Sequence, residues 1–94
     1  MSIRETYINK MKLQLDELNE KMNQLESRAQ EAREDVRDKY KAEMSKLQHQ
    51  SKLAVAQLDE LKATGETTWD AMVAEMEKVR DAFTHSFSYF KSQI

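Results

Sequence analysis

The sequence predicts an all-α protein: a long helix folded back on a shorter one as an antiparallel coiled-coil hairpin, which assembles with a partner chain into an elongated helical bundle. Three observations predict it. The 94 residues include one glycine and no proline, so the strongest helix breakers are nearly absent. Apolar residues recur every three or four positions along most of the chain, which is the spacing of a coiled-coil seam. The one glycine, Gly65, separates two such stretches at a polar turn. With 34% charged and 39% hydrophobic residues, the chain is too apolar for disorder and too polar for a membrane span.

Helix start signals occur at Ser2-Ile3-Arg4-Glu5 and at Thr67-Thr68-Trp69-Asp70. In each, a hydroxyl residue is followed three positions later by a carboxylate that can complete a capping box. Gly65, flanked by Thr64 and Glu66, suits the left-handed conformation that closes a helix. The expected elements within one domain, 1–94, are therefore helix 1 over about residues 3–63, a turn at 64–66 and helix 2 over about 67–92.

The seam of helix 1 runs Ile8, Met11, Leu15, Leu18, Met22, Leu25, Ala29, Ala32 and Val36 with alternating steps of three and four. It then steps four and four through Tyr40 to Met44, a stutter that locally unwinds a left-handed supercoil, before resuming at Leu47, Ser51, Ala54, Leu58 and Leu61. Helix 2 carries a matching stripe at Trp69, Met72, Met76, Val79, Phe83, Phe87, Phe90 and Ile94. Folding it back about Gly65 pairs Leu61 with Trp69, Leu58 with Met72, Ala54 with Met76, Leu47 with Phe83, Tyr40 with Phe90 and Val36 with Ile94. The two residue numbers add to 130 in every pair, and Met44 with Phe87 departs by one, so the stutters nearly coincide. Small Ser51 and Ala54 face Val79 and Met76, as space-filling layers require.

Helix 2 runs out opposite Val36, which leaves Ile8, Met11, Leu15, Leu18, Met22, Leu25, Ala29 and Ala32 without an intramolecular partner. At about 2 kcal/mol for each large side chain, the six large ones represent roughly 10 kcal/mol of burial that a monomer forgoes. The expectation is a homo-oligomer, with that seam as its interface. Two arrangements satisfy it, a parallel bundle with the hairpins together, which Lys21 to Glu26 suits, and the favoured antiparallel dimer, in which each N-terminal half lies along the other chain's hairpin, giving two three-helix bundles end to end. Arg28 opposite Arg33 disfavours a parallel pairing, and Ala29 and Ala32 permit close approach at the two-fold centre. In that dimer Tyr7 and Ile8 of one chain close over Trp69 of the other.

Charge and composition narrow the function. Residues 1–64 balance at twelve acidic and twelve basic, and the net charge of −2 comes from the remaining thirty. Neither part is a basic surface for nucleic acid. No run of eighteen apolar residues exists, and Arg4, Glu5, Lys10 and Lys12 interrupt any secretory core, so a cytoplasmic address is expected and membrane association is not. The chain has no cysteine, which removes disulfides and thiolate metal sites.

Candidate sites are few. Glu77, Asp81 and His85 share a helix face at the spacing that carboxylate and imidazole ligands need, but that face points to solvent and reads as a charged exterior. His49 lies opposite the apolar stripe with no nucleophile arranged around it. Met11, Met22, Met44, Met72 and Met76 occupy seam positions and read as packing. No catalytic, cofactor or metal site is expected, and no enzyme. The aromatic end of helix 2 is a conceivable membrane-surface anchor, which its five acids against three bases over residues 66–94 oppose. Tyr89, Phe90 and Ile94 form the expected surface for another protein. The run from Arg33 to Lys41 reads as a solvated face stitched by Asp35 to Lys39 and Asp38 to Lys41.

The spread of Arg4, Tyr7, Lys10, Lys12, Leu15-Asp16-Glu17, Leu25-Glu26, Ala29, Ala32, Lys39-Tyr40, Leu58-Asp59-Glu60-Leu61-Lys62 and Trp69 resembles a group of small bacterial coiled-coil proteins, some described as stress-response proteins. The resemblance implies a bacterial, non-enzymatic helical protein. The Phe83 to Phe90 segment departs from the group's pattern, whose second helix is richer in alanine and lysine. The function expected is that of a structural or adaptor protein that oligomerises and binds another protein. The alternative is a peripheral membrane or stress-protective amphipathic helix.

Overall fold

The computed structural model describes residues 2–93, and within them the chain forms three α-helices and one short 3-10 turn. Helix α1 spans Ile3–Gln30, α2 spans Glu34–Ala63, and α3 spans Trp69–Gln93, entered through the 3-10 turn Glu66–Thr68. No strand occurs among the described residues.

Helix α1 starts where its capping residue stands. Ser2 has extended backbone, and its hydroxyl accepts the Glu5 amide at 3.1 Å, satisfying one of the free donors of the first turn. The helix ends after Gln30, where the Glu31 and Ala32 amides turn to the Arg28 and Ala29 carbonyls at 3.2 and 3.1 Å. Arg33 then takes an extended conformation (φ −60°, ψ 147°) and begins α2 with no side-chain cap. The charges agree with this break. Arg28 stands in the last turn of α1, and Glu34 and Asp35 in the first turn of α2, each complementing the partial charge of its helix end.

A continuous helix over residues 3–63 is thus corrected to two helices joined at 31–33. The reason is energetic. Interrupting the helix forfeits about three backbone hydrogen bonds, roughly 3 kcal/mol at about 1 kcal/mol net apiece. Folding α1 onto its own α2 and α3 buries Met11, Leu15, Met22 and Leu25, about 2 kcal/mol for each, so bending outweighs leaving a straight seam in water.

A second correction concerns the turn after α2. Gly65 has φ −77° and ψ 168°, and no described residue has a positive φ, so the turn uses extended backbone rather than a left-handed glycine. Thr67 does not cap α3. The Thr68 amide bonds to the Gly65 carbonyl at 3.3 Å, and the chain enters α3 through that 3-10 turn. The Thr64 hydroxyl instead donates back to the Glu60 carbonyl at 2.8 Å.

The core runs the length of the bundle, whose extents are 51 × 20 × 18 Å. Met11, Leu15, Met22, Leu25 and Ala29 come from α1, Met44, Leu47, Ala54, Leu58 and Leu61 from α2, and Met76, Phe83, Phe87 and Phe90 from α3. Tyr7, Ile8, Leu18, Tyr40, Trp69, Met72, Val73 and Val79 pack around it, partly buried. Val36 is also half-buried, whereas Ile94 lies outside the described residues. Helices α2 and α3 share the most extensive contact, and α1 rests chiefly on α2 and only lightly on α3.

The seam assigned to a second chain is therefore covered by the same chain. Ala32 sits half-exposed in the break itself. The physical reason is proximity: a three-residue connection holds α1 beside its groove at an effective concentration of about millimolar or above.

Candidate functional site

At one end of the bundle α1 is fastened to the turn between α2 and α3. The Arg4 guanidinium reaches the C-terminus of α2, where Nη2 donates to the carbonyls of Leu61 at 3.3 Å, Lys62 at 3.1 Å and Thr64. These are carbonyls a helix end leaves without partners, at its negative pole. The same guanidinium lies over the Trp69 ring, 4.8 Å from its centroid, a cation–π arrangement. Tyr7 meets Trp69 edge to face at 5.8 Å and 81°, and its hydroxyl donates to Glu77 Oε1 at 3.4 Å. Burial raises the pKa of the Tyr7 phenol above its ordinary value, and the Glu77 charge and hydrogen bond raise it further. The closure of Tyr7 over Trp69, expected between chains, occurs within one.

At mid-height the Ser51 hydroxyl donates to Asn19 Oδ1 across α1 and α2, and Arg80 Nη1 donates to Gln14 Oε1 at 3.2 Å across α3 and α1. Toward the other end Tyr40 packs edge to face on Phe90, 5.8 Å between centroids, and its hydroxyl donates to the Gln93 carbonyl at 3.0 Å. One tyrosine near the start of α2 thus covers the last turn of α3.

Two open clefts flank α1. One, of about 350 Å³, lies between α1 and α2 beside the break and is lined by Glu26, Gln30, Arg37, Tyr40, Lys41 and Met44 among others. The other, of about 320 Å³, lies between α1 and α3 around Leu18, Lys21, Arg80 and Asp81. Gln50 Oε1 is the buried side-chain oxygen that lacks a partner among the described residues, and it stands alone.

Comparison with protein-family models, with characterised proteins and with solved structures finds no match. Function must be read from the bundle itself.

The residues singled out by sequence fall as follows. Glu77 is taken by Tyr7 and Asp81 by Arg80 Nη2 at 2.9 Å, and His85 is exposed. Among the described residues no three His, Asp or Glu side chains gather as a metal group. His49 is exposed. The expected pairs of Asp35 with Lys39 and Asp38 with Lys41 do not form; Asp35 pairs with Arg33 at 3.3 Å instead. The protein-binding surface needs correction as well. Phe90 is fully buried beneath Tyr40, so only Tyr89, 55% exposed, stands on the surface. Ile94 is outside the described residues. Sequence reasoning missed Arg4 and Asn19, because a cation over a distant helix end and a polar pair between helices leave no periodic trace.

Proposed function

We propose that the chain is a non-enzymatic structural or adaptor protein, an antiparallel coiled-coil hairpin of α2 and α3 braced by α1, that binds another protein through its outer faces. The observation that supports this reading is how the apolar residues are spent. The stripes of all three helices enter one core along the 51 Å rod, and Tyr89 is the one aromatic among the exposed large apolar residues. An exposed amphipathic ring on a rigid helix is a favourable anchor for a protein partner.

The burial of Phe83, Phe87 and Phe90 weighs against the peripheral-membrane reading, since α3 would have to leave the bundle to lay these rings on lipid. No described helix is long and apolar enough to cross a membrane.

A photoreactive phenylalanine analogue at position 89, in the full chain within its native host, tests the adaptor reading. The expected result is one defined heterologous adduct, competed by excess unmodified protein and absent when the analogue sits at Leu13 on α1. Adducts at both positions alike, or none at 89, would overturn it. Co-sedimentation with liposomes tests the membrane reading, and a bound fraction that protects Phe83 to Phe90 from exchange would favour it instead.

A further inference from the structure

The bend between α1 and α2 is held by few contacts of its own, the exposed Arg37 guanidinium on the Ala32 carbonyl at 3.1 Å and Arg33 with Asp35 at 3.3 Å, and the helix it interrupts is well specified. Residues 28–36 read Arg-Ala-Gln-Glu-Ala-Arg-Glu-Asp-Val, with no glycine, no proline and several of the best helix formers. Arg33, in the capping position of α2, makes no capping hydrogen bond and is not a residue type that caps well. The backbone is already close to helical. Glu31 has φ −82° and ψ −7°, and Arg33 has a helical φ of −60° and departs in ψ, at 147°, against about −42° in a helix. An uninterrupted helix over residues 3–63 requires Arg33 ψ to return to the helical range.

The contacts of α1 are compatible with either form. Arg4 meets Lys62, Asn19 meets Ser51 and Glu26 meets Gln48, pairs whose midpoints fall at residues 33, 35 and 37, at the bend or just past it. In a straightened chain α1 becomes collinear with α2, a rod of about 90 Å at 1.5 Å per residue. Two such rods crossing antiparallel, with the two-fold axis at those midpoints, place each α1 on the other chain's α2 and α3 in the same pairing. Arg4 then reaches the partner chain's α2 terminus, and Tyr7 the Trp69 of the partner chain. Nothing in the core changes except which chain supplies it. The two clefts beside α1 and its light contact with α3 make it the helix that leaves most easily.

We propose that this chain exchanges α1 with a second copy of itself, the segment Glu31–Arg33 acting as the hinge that is bent in the monomer and helical in a domain-swapped antiparallel dimer. The inference stands on the hinge and the α1 contacts, independently of the adaptor reading. Closed monomer and swapped dimer share their interfaces, so concentration and hinge preference set the balance.

The full chain carrying Asn19→Cys and Ser51→Cys tests it, since these side chains touch and the chain has no other cysteine. Oxidation with glutathione disulfide is carried out at protein concentrations from about 10 µM to 1 mM, which rise toward the effective concentration of a short linker. The expected result is a disulfide-linked dimer on a denaturing gel whose share rises with concentration, while either single-cysteine variant stays monomeric. Glu34→Pro should abolish it, because proline suits the first helical position and holds Arg33 extended. If circular dichroism shows that variant unfolded, Arg33→Asp serves. A capping aspartate favours the bend by about fivefold, so with two hinges the dimer should weaken about twenty-five-fold. An intrachain disulfide at every concentration overturns the proposal. So does a dimer by light scattering that holds only intrachain disulfides, or a linked dimer indifferent to the hinge variants.

Discussion

Removing the guanidinium of Arg4 tests how α1 is held. In Arg4→Ala the Leu61, Lys62 and Thr64 carbonyls lose their shared donor and Trp69 loses the cation 4.8 Å above its ring. A partly exposed charge at a helix C-terminus contributes about 0.5 to 1 kcal/mol, a cation–π contact at such a site about 0.5 to 1 kcal/mol, and one charge-assisted hydrogen bond about 1 kcal/mol after discounting for solvent. The expected loss is about 2 kcal/mol, which for a chain of this size lowers the melting temperature by roughly 10 °C. Urea unfolding followed by circular dichroism measures the loss, and Trp69, the single tryptophan, reports the site directly through a red-shifted emission. Arg4→Lys should recover part of the stability, because it restores the charge without the planar fork. A change in stability below about 0.5 kcal/mol, within the range of ordinary surface substitutions, together with an unmoved emission spectrum would refute the reasoning.

Gly65→Ala should stabilise the protein by about 0.4 to 1 kcal/mol, since an added Cβ meets nothing within 4 Å and φ is already −77°, leaving mainly the entropy of the unfolded chain to change; a lower urea midpoint would contradict this. Phe83→Ala, at a fully buried ring, should cost about 3 to 5 kcal/mol, whereas Tyr89→Ser should stay within about 0.5 kcal/mol, and denaturant melts of the two separate core from surface. The raised phenol of Tyr7 means that its neutral form is favoured in the fold. That contribution is complete below the ordinary tyrosine pKa of about 10 and is lost as pH rises through the higher folded value. Melting curves between neutral pH and strong alkali should show this loss, and Tyr7→Phe should remove the latest-titrating phenolate absorbance; an unchanged late absorbance would place the shifted tyrosine elsewhere.

Much of the helical content was legible because it depends on local properties. A chain with no proline and one glycine offers little to end a helix, and burial against any neighbour requires one apolar stripe per helix. Hence positions such as Met11, Leu15, Met44, Leu47, Met76 and Phe83, picked out by spacing, are buried. Ser2 was legible as a cap for the same local reason. Phe90 was legible as core through its place in the stripe and its pairing with Tyr40, which covers it, and Tyr89 falls off that stripe; counting Phe90 in a partner surface as well set aside its spacing.

The sequence by itself determined that the chain is helical and which residues each helix turns inward. The tertiary structure alone decided that α1 turns back at 31–33 to meet its own α2 and α3. A seam with heptad spacing is satisfied equally by a second chain or by a bend, since both bury the same side chains. The break at 31–33 carries no glycine or proline; Arg28 before it and Glu34 and Asp35 after it are worth a few tenths of a kcal/mol to about 1 kcal/mol each, and the exposed bond from Arg37 to the Ala32 carbonyl contributes about as much. Such small local terms do not choose between the two. The proximity of α1 to its own groove favours the bend within one chain, and with the bend come the contacts of Arg4 and Tyr7 on a tryptophan more than sixty residues away.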